Sequence, residues 1–117
     1  MQDFRKLLVW EKSHNLTLSI YNLTHSFPKE EMYGLTSQIR RASSSVPINI
    51  AEGCGRGSDA DFARFLQIAF GSVSETEYLL LLCFELGYFS EKNYMEMTYL
   101  VQEIKKMLAK LIATIRK

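Results

Sequence analysis

The 117 residues of this chain, 47% apolar and 23% charged, suffice for one self-supporting core and exclude the composition of a disordered segment. A formal net charge of +1 excludes whole-surface attraction to nucleic acid or anionic membrane and leaves room only for local basic patches. Cys54 and Cys83 stand far apart and outside any C-x-x-C pair, which argues against a disulfide framework or zinc site, and no apolar run nears the ~20 residues that span a bilayer.

The opening ten residues carry no long apolar stretch and no small-residue cleavage site, so the expected location is the cytoplasm, with no membrane partner. The first predicted helix covers about residues 8–26. Val9, Leu16, Ile20, Leu23 and Phe27 recur on one face, and Pro28 stops it. Glu11-x-x-His14 on this helix has half the pattern of a di-iron carboxylate site. The second half is missing, because Asn22 stands three residues before His25, so no metal is expected.

The second predicted helix covers about residues 31–52, with Leu35, Ile39, Ala42, Val46 and Ile50 as its stripe. Pro47 lies inside it and removes a backbone donor, which predicts a kink near Ser43 and Ser44. Gly53, Gly55 and Gly57 mark its end and the following turn. The Gly53-Cys-Gly-Arg-Gly57 run lacks the Lys-Ser/Thr of a phosphate-binding loop and reads as a connection between helices. No base accompanies Ser43, Ser44 and Ser45, so the serines are not nucleophiles.

Ser58 and Asp61 fit the S-x-x-[DE] capping signal of a third helix, along which Phe62, Phe65, Ala69, Val73, Leu80 and Phe84 line one side up to a stop at Gly87. Residues 78–84 of this helix are apolar all round. A segment with no solvated face predicts a subunit interface at Tyr78, Leu79, Leu81 and Leu82, unless Trp10 and the neighbouring helices cover it. The fourth helix begins after Ser90, with Glu91 in its first turn; Met97, Val101, Ile104, Leu108, Leu111 and Ile115 follow at steps of four and three.

Four helices with short connections predict an all-α, up-down-up-down antiparallel four-helix bundle, one domain over residues 1–117. Arg40 or Arg41 on the second helix and Glu75 or Glu77 on the third are candidates for ion pairs, between these helices or across subunits. Lys105, Lys106, Lys110, Arg116 and Lys117 give the last thirteen residues five bases and no acid. In an up-down bundle that end meets the turn carrying Arg56 and Arg64, so these seven residues are the candidate nucleic-acid contacts, beside the plainer reading of helix-dipole complementation.

Two stretches carry a resemblance. Ser37-Gln-Ile-Arg-Arg-Ala-Ser-Ser-Ser-Val-Pro-Ile-Asn-Ile-Ala-Glu-Gly-Cys-Gly-Arg56, and Phe65-Leu-Gln-Ile-Ala-Phe-Gly-Ser-Val-Ser-Glu-Thr-Glu-Tyr78 followed by Leu86-Gly-Tyr88, resemble the signatures of the four-helix-bundle proteins encoded in intervening sequences of bacterial large-subunit ribosomal RNA genes. The match departs at Tyr78, where the family pattern usually carries Thr. The resemblance implies a homopentamer with no enzymatic activity and no cofactor. The family is similar to the accessory variability protein of diversity-generating retroelements, a basic pentameric bundle that binds nucleic acid and a reverse transcriptase. Two functional expectations follow: an oligomeric module that binds RNA, DNA or a nucleic-acid-acting partner, or a protein-interaction bundle without nucleic acid.

Overall fold

The computed structural model describes residues 2–117. A short 3-10 turn, Phe4–Lys6, leads into α1 (Leu8–Leu23); two further 3-10 turns, Thr24–Ser26 and Lys29–Glu31, lead into α2 (Leu35–Cys54); α3 (Asp59–Glu85) and α4 (Glu91–Ile115) complete the chain. No strand occurs among the described residues.

The helix ends have local causes. The Ser58 hydroxyl accepts from the Asp61 N–H at 3.1 Å, and the Ser90 hydroxyl accepts from the Asn93 N–H at 3.1 Å, so each serine satisfies one otherwise unpaired donor of a first turn. Gly87, at φ 84°, ends α3: its N–H donates to the Phe84 carbonyl and that of Tyr88 to the Cys83 carbonyl, both at 2.9 Å. This double closure needs a left-handed residue, which glycine adopts without strain. The first two helices are shorter than the apolar pattern suggests. The chain tightens to 3-10 geometry over residues 24–26 as it nears Pro28, and residues 29–31 form a separate turn before α2 begins at Leu35.

Cross-helix contacts fix the directions. Arg40 meets Thr24, whereas Ser43 meets Thr17, so α1 and α2 run antiparallel. Ser45 pairs with Ser72 and Gly53 abuts Phe62, which sets α3 against α2. Glu77 meets Lys105 and Gln67 meets Arg116, which sets α4 against α3; Lys12 meets Glu103, which closes α4 onto α1. The result is an up-down-up-down bundle with extents of 44 × 24 × 20 Å.

One cluster fills the interior, with Leu16, Ile20, Ile39, Val46, Ile50, Leu66, Val73, Leu80, Val101, Ile104 and Leu108 fully buried. All but Leu66 are residues the helical periodicity selects, because one stripe per helix is most of what four antiparallel helices need to hide, whereas Phe84 of the expected α3 stripe is only half-buried.

α2 is continuous through Pro47. Proline lacks the N–H that would bond the Ser43 carbonyl, and Ser43 is wholly buried. The Thr17 hydroxyl of α1 lies 3.0 Å from that carbonyl and 3.0 Å from the Ser13 carbonyl of its own helix. The acceptor orphaned by the proline thus finds a donor on the neighbouring helix, sharing the hydroxyl's one proton with the Ser13 carbonyl.

Candidate nucleic-acid interface

The antiparallel order brings the start of α1, the end of α2, the start of α3 and the end of α4 to one end of the rod. The seven candidate bases lie there or one to three turns up α4, in two different electrostatic states.

Three are already paired. The Arg56 guanidinium donates to Glu52 at 3.1 Å and Arg64 to Asp61 at 3.3 Å. Both also lie over the ring of Phe65, at 4.7 and 4.6 Å from its centroid, and so cover an aromatic side chain that is otherwise buried. Lys105 donates to Glu77 at 2.9 Å, and Gln102 donates to the other oxygen of the same carboxylate. The Lys105 bond, assisted by Gln102, holds the Glu77 carboxyl below the usual carboxylate range. With Asp59 also in the first turn of α3, the turn between α2 and α3 carries at least as much acid as base.

The other four have no acidic partner within 4 Å among the described residues. Lys106, Lys110 and Lys117 are exposed, and Arg116 donates only to the Gln67 amide oxygen at 3.3 Å. Lys6, in the turn before α1, is a fifth such base at the same end, because Leu7 and Leu8 share a groove with Lys110, Leu111 and Thr114. Chain position placed the four on α4 or just past its end, but only the docking of the first turn against α4 adds Lys6, which no local pattern signals. The unpaired bases therefore follow α4 and the first turn and leave the glycine-rich connection.

The candidate ion pairs take other partners within the chain. Arg40 donates to the Thr24 hydroxyl at 2.8 Å and to the Tyr21 carbonyl at 3.3 Å, with its guanidinium 4.7 Å from the Tyr21 ring centroid. Glu77 is held by Lys105, as above. Arg41 and Glu75 line one polar cleft of about 570 Å³ between α2 and α3, together with Tyr33, Ser37, Gln38 and Ser45, and form no ion pair among the described residues. The inward arginine thus found neutral acceptors because α1, and not α3, is the wall it faces.

The apolar segment of α3 divides by face. Leu79, Leu80 and Cys83 are buried inside the chain, Leu82 and Phe84 are half-buried, and Tyr78 and Leu81 remain exposed at 60% and 39%. Leu79 therefore belongs to the core and offers no contact to a second copy. Trp10 does not reach this segment; it packs edge-on to Phe4 and stacks on His14 at 4.8 Å, beside Pro47 and Ile48.

Among the described residues no cluster of three His, Cys, Asp or Glu side chains gathers at metal-binding distance, and no helix is long and apolar enough to cross a membrane. Both thiols are free and buried; burial pushes Cys54 up and Cys83 up to about 11, far from the thiolate a nucleophile requires.

The family model of the 23S rRNA-intervening sequence proteins matches residues 5–110. A solved structure, described as a protein with unknown function from the S23 ribosomal protein family of Bacteroides thetaiotaomicron VPI-5482, is similar at TM-score 0.80 and 30% identity, covering 90% of this chain and 98% of that one. No curated protein matches. Neither similarity indicates a catalytic family.

Proposed function

The chain belongs to the 23S rRNA-intervening sequence protein family, and from that premise we propose a non-enzymatic, cytoplasmic homo-oligomer that holds an anionic partner, RNA or DNA backbone, at the end where α4 finishes. The observation that carries this reading is the group of unpaired bases at one end of the rod: Lys106 and Lys110 on α4, Arg116 and Lys117 just past its end, with Lys6 beside them. Bases already tied to carboxylates gain little from a phosphate, whereas unpaired ones release a counterion for each phosphate they neutralise. The pentamer is what the family resemblance implies. Exposed Tyr78 and Leu81, with Ile68 further along α3, supply apolar surface for subunit contacts. Repetition of one basic end around a ring multiplies weak phosphate contacts without any new contact type.

The bases carry no stacking aromatic among them, so the binding is to backbone and not to sequence. Fluorescence anisotropy with a mixed-sequence RNA probe, titrated across salt, tests the proposal. Binding should weaken steeply as salt rises. Substitution of Lys106, Lys110 and Arg116 by Ala should flatten the log–log slope by about 0.7–0.9 for each phosphate that a copy no longer neutralises. No binding at low salt rejects nucleic acid as the ligand.

A further inference from the structure

A groove of about 250 Å³ runs between the start of α1 and the end of α4. Val9 forms its buried floor, Leu7, Met107 and Leu111 its half-buried walls, and Leu8, 55% exposed, its rim. Met107, Leu111 and Thr114 lie one turn apart along α4, so the groove is about 10 Å long, room for two apolar side chains one turn apart on a docked helix. Its border is basic. Lys110 lines it, Lys106 precedes Met107, and Lys6 precedes Leu7, all without an acidic partner among the described residues. Three acids lie near: Asp3, at the rod's end beside Lys6, is tied to Arg5 at 3.2 Å, while Glu103, tied to Lys12 at 3.3 Å, and exposed Glu11, one turn beyond Leu7, lie toward the waist.

We infer that this groove is the docking site for an acidic amphipathic helix of a protein partner. The inference rests on the reading of this end as the binding surface and names a partner for it. A phosphate backbone uses the lysines but gains nothing from a floor of Val9, Leu7 and Leu111. A helix with leucine-like side chains one turn apart and carboxylates on either side uses both. Its apolar anchors leave water in the groove, and its carboxylates meet Lys6 on the α1 border and Lys106 and Lys110 on the α4 border. Glu11 sets the polarity of docking, because it repels acid at the waist and leaves the carboxylates to gather toward the rod's end.

The direct test uses the full chain and a labelled synthetic peptide of about 18 residues, long enough to hold a helix, with leucines at helical spacing and glutamates elsewhere. A lysine-for-glutamate counterpart and the mixed-sequence RNA serve as comparison probes. The acidic peptide should bind and its lysine counterpart should not. Leu8→Glu, at an exposed position, and the pair Lys106→Ala with Lys110→Ala should each weaken the acidic peptide at least about tenfold, while Leu8→Ser, which adds no charge, weakens the acidic peptide and leaves any RNA binding unchanged. Leu8→Ser replaces Leu8→Glu if the latter lowers the melting temperature. An acidic peptide that does not bind, or binds Leu8→Glu and Leu8→Ser as well as the parent, overturns the inference. If RNA alone binds, and loses affinity with the lysine substitutions, the end is a phosphate surface and only the groove inference falls. If neither probe binds, both readings fall. Loss of oligomeric mass in both Leu8 variants would place a second copy of this chain in the groove and would also overturn it.

Discussion

Pro47 costs α2 one backbone hydrogen bond, and the cost appears at Ser43, whose carbonyl is buried and meets the Thr17 hydroxyl at 3.0 Å. Thr17→Val keeps the shape and removes the donor, so the carbonyl is left unsatisfied. The expected loss is about 1–3 kcal/mol, read from urea unfolding at fixed protein concentration. In a Pro47→Ala background the helix regains its own N–H, and the same Thr17→Val change should cost measurably less. The proline's penalty was legible in the sequence, but its remedy was not: Thr17 lies 26 residues away and becomes a partner only through the docking of α1 on α2. Gly53 poses a similar local problem. A Cβ there would lie 3.0 Å from both Phe62 Cδ1 and Phe65 Cβ, so any side chain would force these neighbours to give by a few tenths of an ångström. Gly53→Ala gains up to about 1 kcal/mol of helix propensity and loses about 1–3 kcal/mol to overpacking, for a net destabilisation that the same unfolding assay reads.

Along the helices, capping signals and apolar stripes read correctly because both are local: Ser58, Ser90 and Gly87 act at the ends where their chemistry predicts. The all-apolar run of α3 could not be divided by sequence, since periodicity within seven apolar residues carries no contrast. Packing divides it, with Leu79 and Leu80 inward and Tyr78 and Leu81 outward. Polar partners across helices were equally hidden. Glu77 pairs with Lys105, and Glu31 caps the N–H of Leu35 at 3.3 Å while accepting the Tyr88 hydroxyl at 3.0 Å, which links the start of α2 to the connection between α3 and α4. The bond to Glu31 raises the Tyr88 phenol. The Glu77 pair has a pH signature. Its folded-state pKa lies below the ordinary 4.5, so its contribution is complete above that value and is lost as pH falls through the lower folded value. Both partners are part-exposed and screened, which keeps the contribution under about 1 kcal/mol. Urea midpoints followed from neutral pH downward should fall below pH 4.5, and Glu77→Gln should remove part of that slope. A slope identical in the variant would show that other carboxylates carry all of it.

At the scale of the whole molecule, the bundle followed from four stripes and short connections, and residues 5–110 place it in the 23S rRNA-intervening sequence protein family. The candidate site was legible only as a set of bases, because a sequence shows charges and not their partners. Folding neutralises Arg56, Arg64 and Lys105 and leaves Lys106, Lys110, Arg116, Lys117 and the unforeseen Lys6 at one end. One such end is a weak ligand for a polyanion, and the proposed function depends on several copies held together. Substituting Tyr78 and Leu81 by Glu places charge on the exposed face of α3 and should lower the assembly state without unfolding the chain, since neither side chain enters the core. The mass of the native protein by light scattering coupled to size exclusion, at micromolar protein, decides the matter most directly. A mass near five times 13.5 kDa is the expected result, and a mass of 13.5 kDa would contradict a function built on a ring.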